Sequence, residues 1–569
     1  MKVKKNKLLI LSISTLVLLL ILFVAIVFLF AKYNVGINEG KIFLKNGLST
    51  NPASLEKLKE YTSERKNDID ILHYDIHIEL LPEDQEIIGD VTITGVVKKN
   101  NLENINLNFY DNYDISSVTL NKTKIDYQYY SDKLILPNSV SEKDTFLIRV
   151  KYKGEPESLG FGSFNFDKYN GSNVIYTLNE PIYASTWFPC NDTPTDKVQV
   201  DLSITNDSSM VSVSNGVLKD ISTNKGKRTF HWGTKYPIAT YLISIYSAVY
   251  TNFSDSYITS TGDTMSIDYY VFPTQLDEAK IDFKIHPKAI KYFAELFGEY
   301  PFVSEKYGVA EFMWKLGAME HQSITGIGKN FITGRKFFTG MLVHELAHQW
   351  WGNAVTLKSW KDIWLNEGFA TYSEALYWEK ESGKSALKST MNSYLTNFNK
   401  STLYNPKEIF GRLVYNKGAW VLHMLRKKVG DEHFFAILKT YYNNYKFKNA
   451  SSNDFINISE KISKKNLTQF FKQWVFEGKG KIKLEYKFEN EFNKNGQVVD
   501  INIKQIQKEY KNYKFQLDVE LFFENGTSQK REVNIQSNDT VLTFPVEQKV
   551  VNAVIDPDNW LAAEIRLVN

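Results

Sequence analysis

The sequence predicts a multidomain protein of both α and β structure: one transmembrane helix, an antiparallel β domain, an α+β domain and a C-terminal β-sandwich. Three observations predict this class: an apolar stretch near the N-terminus, two regions of short alternating runs, and a middle region with helical spacing. At 569 residues the chain is too long for a single core. Its hydrophobic content of 43% and aromatic content of 14% suit several packed cores and do not indicate disorder.

The first 32 residues predict a membrane anchor. Four lysines among the first seven residues precede an uncharged, mostly apolar stretch from Leu8 to Ala31, which as a helix is long enough to cross the bilayer core. Because positive charge stays on the cytoplasmic side, we expect a single-pass protein of the cell membrane, with a cytoplasmic N-terminus and everything after Lys32 outside the cytoplasm. The alternative is a cleaved signal peptide of unusual length, although no small-residue cleavage site closes the stretch.

Residues 33–68 are polar and predict a stalk, and the pattern after them predicts three domains. Between residues 69 and 262, short alternating runs separated by turn residues predict the antiparallel β domain. Between residues 263 and 480, a brief strand-rich start gives way to helical spacing, which predicts the α+β domain. Residues 481–569 return to alternation, which predicts the β-sandwich. The clearest helical spacing lies in segments 275–297, 336–351, 366–382 and 416–429.

The charge balance argues against nucleic-acid binding. Residues 33–569 carry 63 basic against 65 acidic side chains, so no basic face is expected.

Cys190 is the single cysteine, so no intrachain disulfide can form. Its apolar neighbours, Trp187, Phe188 and Pro189, predict a buried side chain rather than a nucleophile.

The motif HELAH at residues 344–348 predicts a metal centre. One helical turn separates His344 from His348, so both imidazoles can reach one ion. Glu345 can hold a metal-bound water without entering the coordination sphere. Glu367, in the next helical segment, completes a His₂Glu set and leaves the fourth position open, which is typical of catalytic zinc. We call His344, His348 and Glu367 the metal set, and we predict one Zn²⁺ per chain and the hydrolysis of peptides. A small sheet followed by helices, one of which carries this motif, is the thermolysin-like arrangement.

Two further segments indicate how a substrate is held. The segment GAMEH at residues 317–321 follows a predicted strand, and an exposed strand edge binds a peptide through main-chain hydrogen bonds. Glu320 in that segment could pair with a free α-ammonium. Tyr415, which opens an apolar helix, could donate a hydrogen bond to the oxyanion that develops during hydrolysis, although packing is the alternative role.

Together with the metal motif, these segments resemble the gluzincin aminopeptidase family, which includes aminopeptidase N and the leukotriene hydrolases. The resemblance extends from about residue 70 to residue 569 and implies a saddle-like β domain, a thermolysin-like catalytic domain and a β-sandwich. It also implies a short bacterial-type form, without the helical domain that larger members add. The matching blocks are YTLNEP (176–181), FPCND (188–192), GAMEH (317–321), HELAHQWWG (344–352), WLNEGFATY (364–372) and VYNKGAWVLHMLR (414–426).

The resemblance implies a catalytic role for each matching residue. The metal set matches the zinc ligands, and Glu345 matches the general base, which takes a proton from the attacking water and returns it to the leaving amine. Tyr415 matches the tyrosine that stabilises the transition state. Tyr404 is the alternative if that match is wrong.

The resemblance also implies an aminopeptidase. Glu320 matches one carboxylate that binds the amino terminus of a peptide, and Glu180 matches the second. We call these two residues the carboxylate wall; the segment Gly317, Ala318 and Met319 lies beside the peptide. Because the α-ammonium must reach this wall, only the first residue would lie across the metal, and the expected substrates are peptides with a free N-terminus.

Two positions depart from the family pattern. His321 replaces the asparagine of the family's GAMEN block, and an imidazole that titrates near neutral pH would sharpen the pH dependence or alter the peptide-binding strand. Leu178 stands where relatives often carry glutamine, which predicts a more apolar pocket for the first side chain.

Three other interpretations stay open. A zinc endopeptidase would use the same ligands and would cleave N-acetylated peptides. Epoxide hydrolysis occurs in one branch of the family, although no residue here selects for it. A non-catalytic, membrane-displayed binding module would need no stoichiometric zinc. The sequence predicts no particular oligomeric state.

Overall fold

The computed structural model describes residues 67–399, 401–493 and 496–568. The predicted membrane anchor at residues 8–31 and almost all of the predicted stalk lie outside the described residues. Within the described ranges, no helix has both the length and the hydrophobicity that crossing a bilayer requires.

The first described region, residues 69–248, consists mainly of β-strands. Alternate side chains point into a core, as in Glu86–Val97, where Ile87, Val91 and Ile93 are fully buried. The strands are β1 (Ile69–Leu81), β2 (Glu86–Val97), β3 (Asn104–Asn108), β4 (Tyr113–Leu120), β5 (Thr123–Lys124), β6 (Gln128–Tyr130), β7 (Lys133–Pro137), β8 (Thr145–Gly154), β9 (Ser163–Tyr169), β10 (Ser172–Leu178), β11 (Gln199–Asp207), β12 (Val211–Val213), β13 (Val217–Asn224), β14 (Lys227–Gly233) and β15 (Tyr246–Ala248).

These strands form an eight-stranded sheet (β13-β14-β11-β1-β2-β8-β4-β5), a four-stranded sheet (β12-β15-β10-β9) and a three-stranded sheet (β3-β7-β6). In the largest sheet β1 and β11 run parallel, with His73 opposite Gln199. The other described strand pairs of this region are antiparallel, as predicted, so the β1–β11 pair is the departure from the predicted antiparallel domain. An alternating pattern reports which face of a strand is buried but not the direction of its neighbour. The long separation between β1 and β11 allows the crossover that a parallel pair needs.

The second region begins with a mixed five-stranded sheet. Its strands are β16 (Thr251–Ile258), β17 (Thr264–Val271), β18 (Tyr307–Phe312), β19 (Ala318–Met319) and β20 (Thr325–Gly328). Their order is β16-β17-β18-β20-β19, so β19 is an edge strand. The predicted domain boundary between residues 262 and 263 falls inside the β16–β17 hairpin. By sheet membership the division lies between Ala248 and Thr251. The sequence did not predict this position, because the alternating pattern of apolar residues does not change where the chain passes from one sheet to the next.

Helices form most of the remaining middle region. Two short strands, β21 (Val355–Leu357) and β22 (Lys448–Ala450), pair in parallel beside them, and two π-helical turns occur at Leu413–Lys417 and Lys472–Phe476. The helices are α1 (Leu276–Asp282), α2 (His286–Phe297), α3 (Thr339–Ala347), α4 (Trp364–Tyr394), α5 (Gly418–Val429), α6 (Asp431–Tyr445), α7 (Ser452–Ser463) and α8 (Thr468–Phe471).

Two helices differ from their predicted extents for local reasons. The predicted helix at residues 275–297 is divided, and Pro287 lies in the first turn of α2, where its missing N–H costs no hydrogen bond. The helix predicted at residues 366–382 ends where α4 kinks, at Gly383. The φ of this glycine is 78°, a left-handed conformation that side chains disfavour.

Strands return in residues 482–567 and form two sheets. One has the order β27-β24-β23-β29 and the other the order β26-β25-β28. The Tyr486 hydroxyl of the first sheet donates to the Ala553 carbonyl of the second at 2.8 Å. The strands are β23 (Ile482–Asn493), β24 (Gly496–Gln505), β25 (Phe515–Phe523), β26 (Ser528–Ile535), β27 (Asp539–Pro545), β28 (Val550–Ile555) and β29 (Ala563–Leu567).

A buried aromatic cluster positions the helices that carry the site. Trp351, which follows the HELAH motif, packs on Phe369 of α4 at 5.2 Å and on Tyr441 of α6 at 6.0 Å between ring centroids. Trp364, at the start of α4, packs on Phe369 at 5.9 Å. Each such pair stabilises the packing by about 0.5–1.5 kcal/mol beyond the burial of its area. The end of α3 is thereby held against the start of α4.

Candidate active site

The structure brings the metal set together. His344 lies in α3, His348 caps the end of that helix, and Glu367 lies in the first turn of α4. The two histidine Nε2 atoms are 3.0 Å apart, and Glu367 Oε2 is 3.4 Å from His344 Nε2 and 3.3 Å from His348 Nε2. Ligands placed tetrahedrally about 2.0–2.1 Å from zinc lie about 3.3 Å from one another. The three atoms therefore fit one zinc ion.

The outer nitrogen of each histidine has an acceptor that fixes its tautomer. The His344 Nδ1–H donates to Glu374 Oε1 at 2.8 Å, and the His348 Nδ1–H donates to the Trp351 carbonyl at 2.9 Å. Both Nε2 atoms are thus left as acceptors, which is the form that binds a metal. Glu374 was not among the residues predicted from the sequence. The sequence does contain an indication of Glu374: it lies seven residues after Glu367, which places both side chains on the same face of α4.

The two histidines of the metal set favour the ionised form of Glu367. Burial raises the pKa of Glu367, but when the two histidines are protonated the charge of His348 and the hydrogen bonds of both outweigh burial and lower it to about 2. A metal ion bound by the two Nε2 atoms would supply positive charge in place of those protons. A carboxylate in this environment stays ionised, as a metal ligand must be.

Glu345 is buried on the same helix but outside the ligand triangle. A carboxylate oxygen of Glu345 and one of Glu320 lie within 4.8 Å of each other and of a ring nitrogen of His348. Burial raises the pKa of Glu345 to about 8, against the opposing effect of the two histidines. The positive charge of a zinc ion held by the metal set would lower that pKa, which leaves a carboxylate that can accept a proton and return it.

The carboxylate wall lies beside the metal set. Glu180 follows β10 and is 5% exposed, and Glu320 follows β19 and is 4% exposed. One oxygen of each lies within 4.8 Å of the other and of Glu367. Among the described residues, neither Glu180 Oε1 nor Glu320 Oε1 has a hydrogen-bond partner. Burial and then the charge of Glu320 raise the pKa of Glu180 well above its ordinary value.

The segment that follows α3 holds the Glu320 segment in place. The Asn353 side-chain amide donates to the Glu320 carbonyl at 2.6 Å, and Gln349 Nε2 donates to the same carbonyl at 3.3 Å. Gln349 Oε1 accepts from the Ser323 backbone N–H at 2.8 Å. The position of Glu320 therefore depends on its backbone rather than on its carboxylate.

The segment predicted to lie beside the peptide forms an edge strand. Ala318 pairs with Ile327 and Met319 pairs with Gly326 across β19 and β20, and the Gly317 carbonyl accepts from the Gly328 N–H at 3.1 Å. The other edge of β19 pairs with no strand among the described residues. A peptide can add to such an edge through main-chain hydrogen bonds.

The structure places Tyr415, and not Tyr404, at the site. Tyr415 lies in the π-helical turn before α5, and its ring stacks on His344 with centroids 5.9 Å apart. Burial and then the charge of Glu367 raise the pKa of Tyr415, so its hydroxyl keeps its proton and remains a donor. The Tyr404 ring packs instead on Phe476 at 5.3 Å.

Two glycines allow this approach of α5 to α4. A Cβ added to Gly418 would lie 2.6 Å from the Gly368 Cα, and a Cβ added to Gly368 would lie 2.7 Å from the Gly418 Cα. Real side chains do not come so close, so the two helices touch through their backbones. The contact brings the segment of Tyr415 next to that of Glu367.

His321, a residue that departs from the family pattern, lies in the interior of the protein. The side chain is fully buried, its Nδ1 is hydrogen-bonded to the Tyr246 hydroxyl, and burial lowers its pKa to about 3. The imidazole is therefore neutral near pH 7, which argues against the first of the two effects considered for it, a sharper pH dependence near neutrality. A single sequence does not reveal burial at an isolated polar position, which decides the pKa here.

Two models of known domain families match parts of this chain. Residues 71–242 match the model of the peptidase M1 N-terminal domain, and residues 281–474 match that of the peptidase family M1 domain. A probable aminopeptidase 2 of Sulfurisphaera tokodaii is 26% identical over 68% of this chain and 53% of its own length. Aminopeptidase N of Lactococcus lactis is 26% identical over 71% of this chain and 50% of its own length. The chain thus spans about half the length of the curated relatives it matches.

Solved structures show the same fold. The aminopeptidase A of Legionella pneumophila, crystallised with aspartic acid, superposes with a TM-score of 0.78 and 18% identity over 88% of this chain and 60% of its own. An M1 zinc metallopeptidase of Deinococcus radiodurans superposes with a TM-score of 0.62 and 24% identity over 72% of this chain and 94% of its own. At these identities the likeness concerns the fold alone.

Proposed function

Because this chain belongs to peptidase family M1, we propose that it is a zinc-dependent aminopeptidase, which removes the N-terminal residue of peptides. The observation that carries the proposal is the pair of buried carboxylates beside the metal set. Glu180 and Glu320 each have an oxygen without a hydrogen-bond partner among the described residues. Burial raises the pKa of both groups, so their ionised forms need a cation beside them, and an α-ammonium supplies both the charge and the donors.

The metal set would hold the zinc ion, which supplies a Lewis acid for the scissile carbonyl and lowers the pKa of a bound water. Glu345 takes the proton from the attacking water and returns it to the leaving amine. The Tyr415 hydroxyl donates a hydrogen bond to the developing oxyanion. The edge of β19 aligns the backbone of the peptide, and the carboxylate wall holds its α-ammonium. Because the wall closes this end of the site, only one residue fits before the scissile bond.

The first test is hydrolysis of aminoacyl-p-nitroanilides by the full-length chain in detergent. We expect turnover that a zinc chelator abolishes and added Zn²⁺ restores, since the fourth coordination position exists only when the metal set is occupied. Comparing leucine with lysine at the first residue tests the apolar pocket that Leu178 predicts. The matched control is the N-acetylated form of each substrate, which should not be cleaved.

Each contrary outcome points to another function. Equal cleavage of N-acetylated substrates would identify an endopeptidase. Turnover that survives complete removal of zinc would exclude the proposed chemistry. A chain that contains no stoichiometric zinc and cleaves no substrate would be the non-catalytic binding module.

We also propose that residues 8–31 anchor the protein in the cell membrane, with the catalytic region outside the cytoplasm. The support is the uncharged stretch and the lysines before it. The full-length chain should resist carbonate extraction from membranes. Leu19→Arg combined with Phe23→Arg should release it, because each arginine costs about 2.5–3.5 kcal/mol at the centre of a span. A wild-type chain found in the supernatant, or one whose N-terminus begins after the stretch, would contradict the anchor.

A further inference from the structure

Lys417 is a buried lysine two residues after Tyr415. Its side chain is fully buried, and burial lowers its pKa to about 7, with no acidic group among the described residues offsetting that effect. A buried charge without an anion beside it destabilises a fold. A methionine of similar length would fill the same space without that cost, so packing alone does not account for the lysine.

The ammonium of Lys417 is hydrogen-bonded to the segment that leads into the C-terminal sheets. Its Nζ donates to the Gly478 carbonyl at 2.6 Å. The lysine belongs to the π-helical turn Leu413–Lys417, which also contains Tyr415. Single π-helical turns are rare and often lie at functional sites. The hydrogen bond therefore connects the turn that carries Tyr415 to a part of the chain outside the helices of the metal set.

The acceptor of this hydrogen bond is itself held in place. A Cβ added to Gly478 would lie 1.9 Å from the Gln473 carbonyl oxygen, so no larger residue fits there without a shift of the backbone. The Gln473 side chain donates to the Lys514 carbonyl at 2.7 Å and accepts from the Lys514 N–H at 3.0 Å. The Tyr513 hydroxyl donates at 3.1 Å to the carbonyl of the residue that follows Gly478. The loop between β24 and β25 thus fixes the carbonyl that accepts from the lysine.

We propose that Lys417 is a positioning residue: it holds the Tyr415 hydroxyl at the place where the oxyanion develops. The loop between β24 and β25 fixes the Gly478 carbonyl, and this carbonyl binds the ammonium that anchors the π-helical turn. On its other side the turn runs into α5, whose Gly418 packs on Gly368. The turn is thus held from two sides, by a backbone contact and by the ammonium. The inference rests on the proposed function, in which the tyrosine hydroxyl donates to the oxyanion.

Lys417→Met is expected to lower kcat about tenfold and to leave KM within about twofold, because the hydroxyl acts only in the transition state. Tyr415→Phe alone should lower kcat by about 10² to 10³-fold. Once that hydroxyl is absent, Lys417→Met should lower kcat by less than about twofold, because a residue that acts through the hydroxyl then has nothing to position. Steady-state kinetics on leucine p-nitroanilide, with the full-length wild type, both single variants and the double variant in detergent, measure this cycle.

Lys306→Met is the matched control for the cycle. Lys306 is also buried and also donates to backbone carbonyls, those of Ser214 at 3.0 Å and Gly216 at 2.7 Å. Any loss of kcat that this variant causes should be the same with and without Tyr415→Phe, because the two residues act independently.

Tyr513→Phe tests the same path with a smaller change, and it decides the question if Lys417→Met does not fold. It removes one hydrogen bond to the segment of Gly478 and keeps the ring. We expect kcat to fall about threefold, the equivalent of one weak hydrogen bond, and to be unchanged by this variant when Tyr415→Phe is already present.

A signal from Tyr415 itself makes the test independent of turnover. Replacing Tyr415 by 3-fluorotyrosine gives a single ¹⁹F resonance, which Lys417→Met should shift or broaden and Lys306→Met should leave unchanged. An equal loss of kcat in both backgrounds, a change in KM without a change in kcat, or an unchanged ¹⁹F resonance would each overturn the proposal. A wild-type chain without aminopeptidase turnover would overturn the proposed function instead, and the ¹⁹F resonance would still show whether the lysine positions the tyrosine.

Discussion

Glu345→Gln is expected to lower kcat by about 10³-fold while the protein keeps its zinc. Glutamine has nearly the same shape but cannot accept the proton of the attacking water, and general acid–base catalysis contributes about 10² to 10⁴ in rate. The metal should stay bound, because the ligand triangle is formed by His344, His348 and Glu367 without Glu345. Steady-state kinetics on an aminoacyl-p-nitroanilide and the zinc content of the purified protein measure the two effects together.

Glu432→Gln is the matched control for this variant. Glu432 lies in the first turn of α6 and is exposed, so the same chemical change there should leave both turnover and zinc content unchanged. Activity of Glu345→Gln near that of the wild type would exclude Glu345 as the general base. Loss of zinc together with activity would show that Glu345 supports the metal set instead.

Glu320→Ala is expected to lower kcat/KM for free-amine substrates by about 10² to 10³-fold. The α-ammonium would lose one partner of a buried charge pair, which typically costs about 2–5 kcal/mol. The strand should stay in place, because Asn353 and Gln349 hold the Glu320 carbonyl rather than its side chain. Inhibition constants of a free-amine peptide and of its N-acetylated form, measured on wild type and variant, separate recognition of the amine from general binding.

The N-acetylated form is the internal control, since it has no ammonium for Glu320 to bind. Its weak inhibition should change little in the variant. An equal loss for both forms would show that Glu320 is structural. Glu180→Ala should give the same pattern, because the two carboxylates lie within 4.8 Å of each other and share the ligand.

The local sequence pattern was sufficient to predict the relative positions of side chains that lie close together in the chain. His344 and His348 are one helical turn apart, so any helix through them places both imidazoles on one face. The helical spacing after residue 363 likewise predicted the helix that carries Glu367. The structure brings these three side chains to within 3.4 Å of one another.

Pattern was insufficient where a property depends on distant neighbours. The parallel pairing of β1 with β11 and the position of the sheet boundary near residue 250 depend on contacts across long stretches of chain. Apolar residues alternate in the same way whether the neighbouring strand is parallel or antiparallel, and whether it belongs to the same sheet or to another. The neutrality of His321 has the same origin, because burial by surrounding segments lowers its pKa to about 3.

The sequence by itself determined the chemistry of the candidate site: a helix with two histidines and a glutamate, a third ligand on the next helix, and an edge segment that ends in a carboxylate. Only the tertiary structure decided which remote groups join them. The family resemblance had named Glu180 and Tyr415, but the structure is what places Glu180 beside Glu320 and Tyr415, rather than Tyr404, against His344, and it adds Glu374 behind the same histidine. The physical reason is that helical and strand periods determine the face on which a side chain lies, whereas packing between segments determines what that face meets.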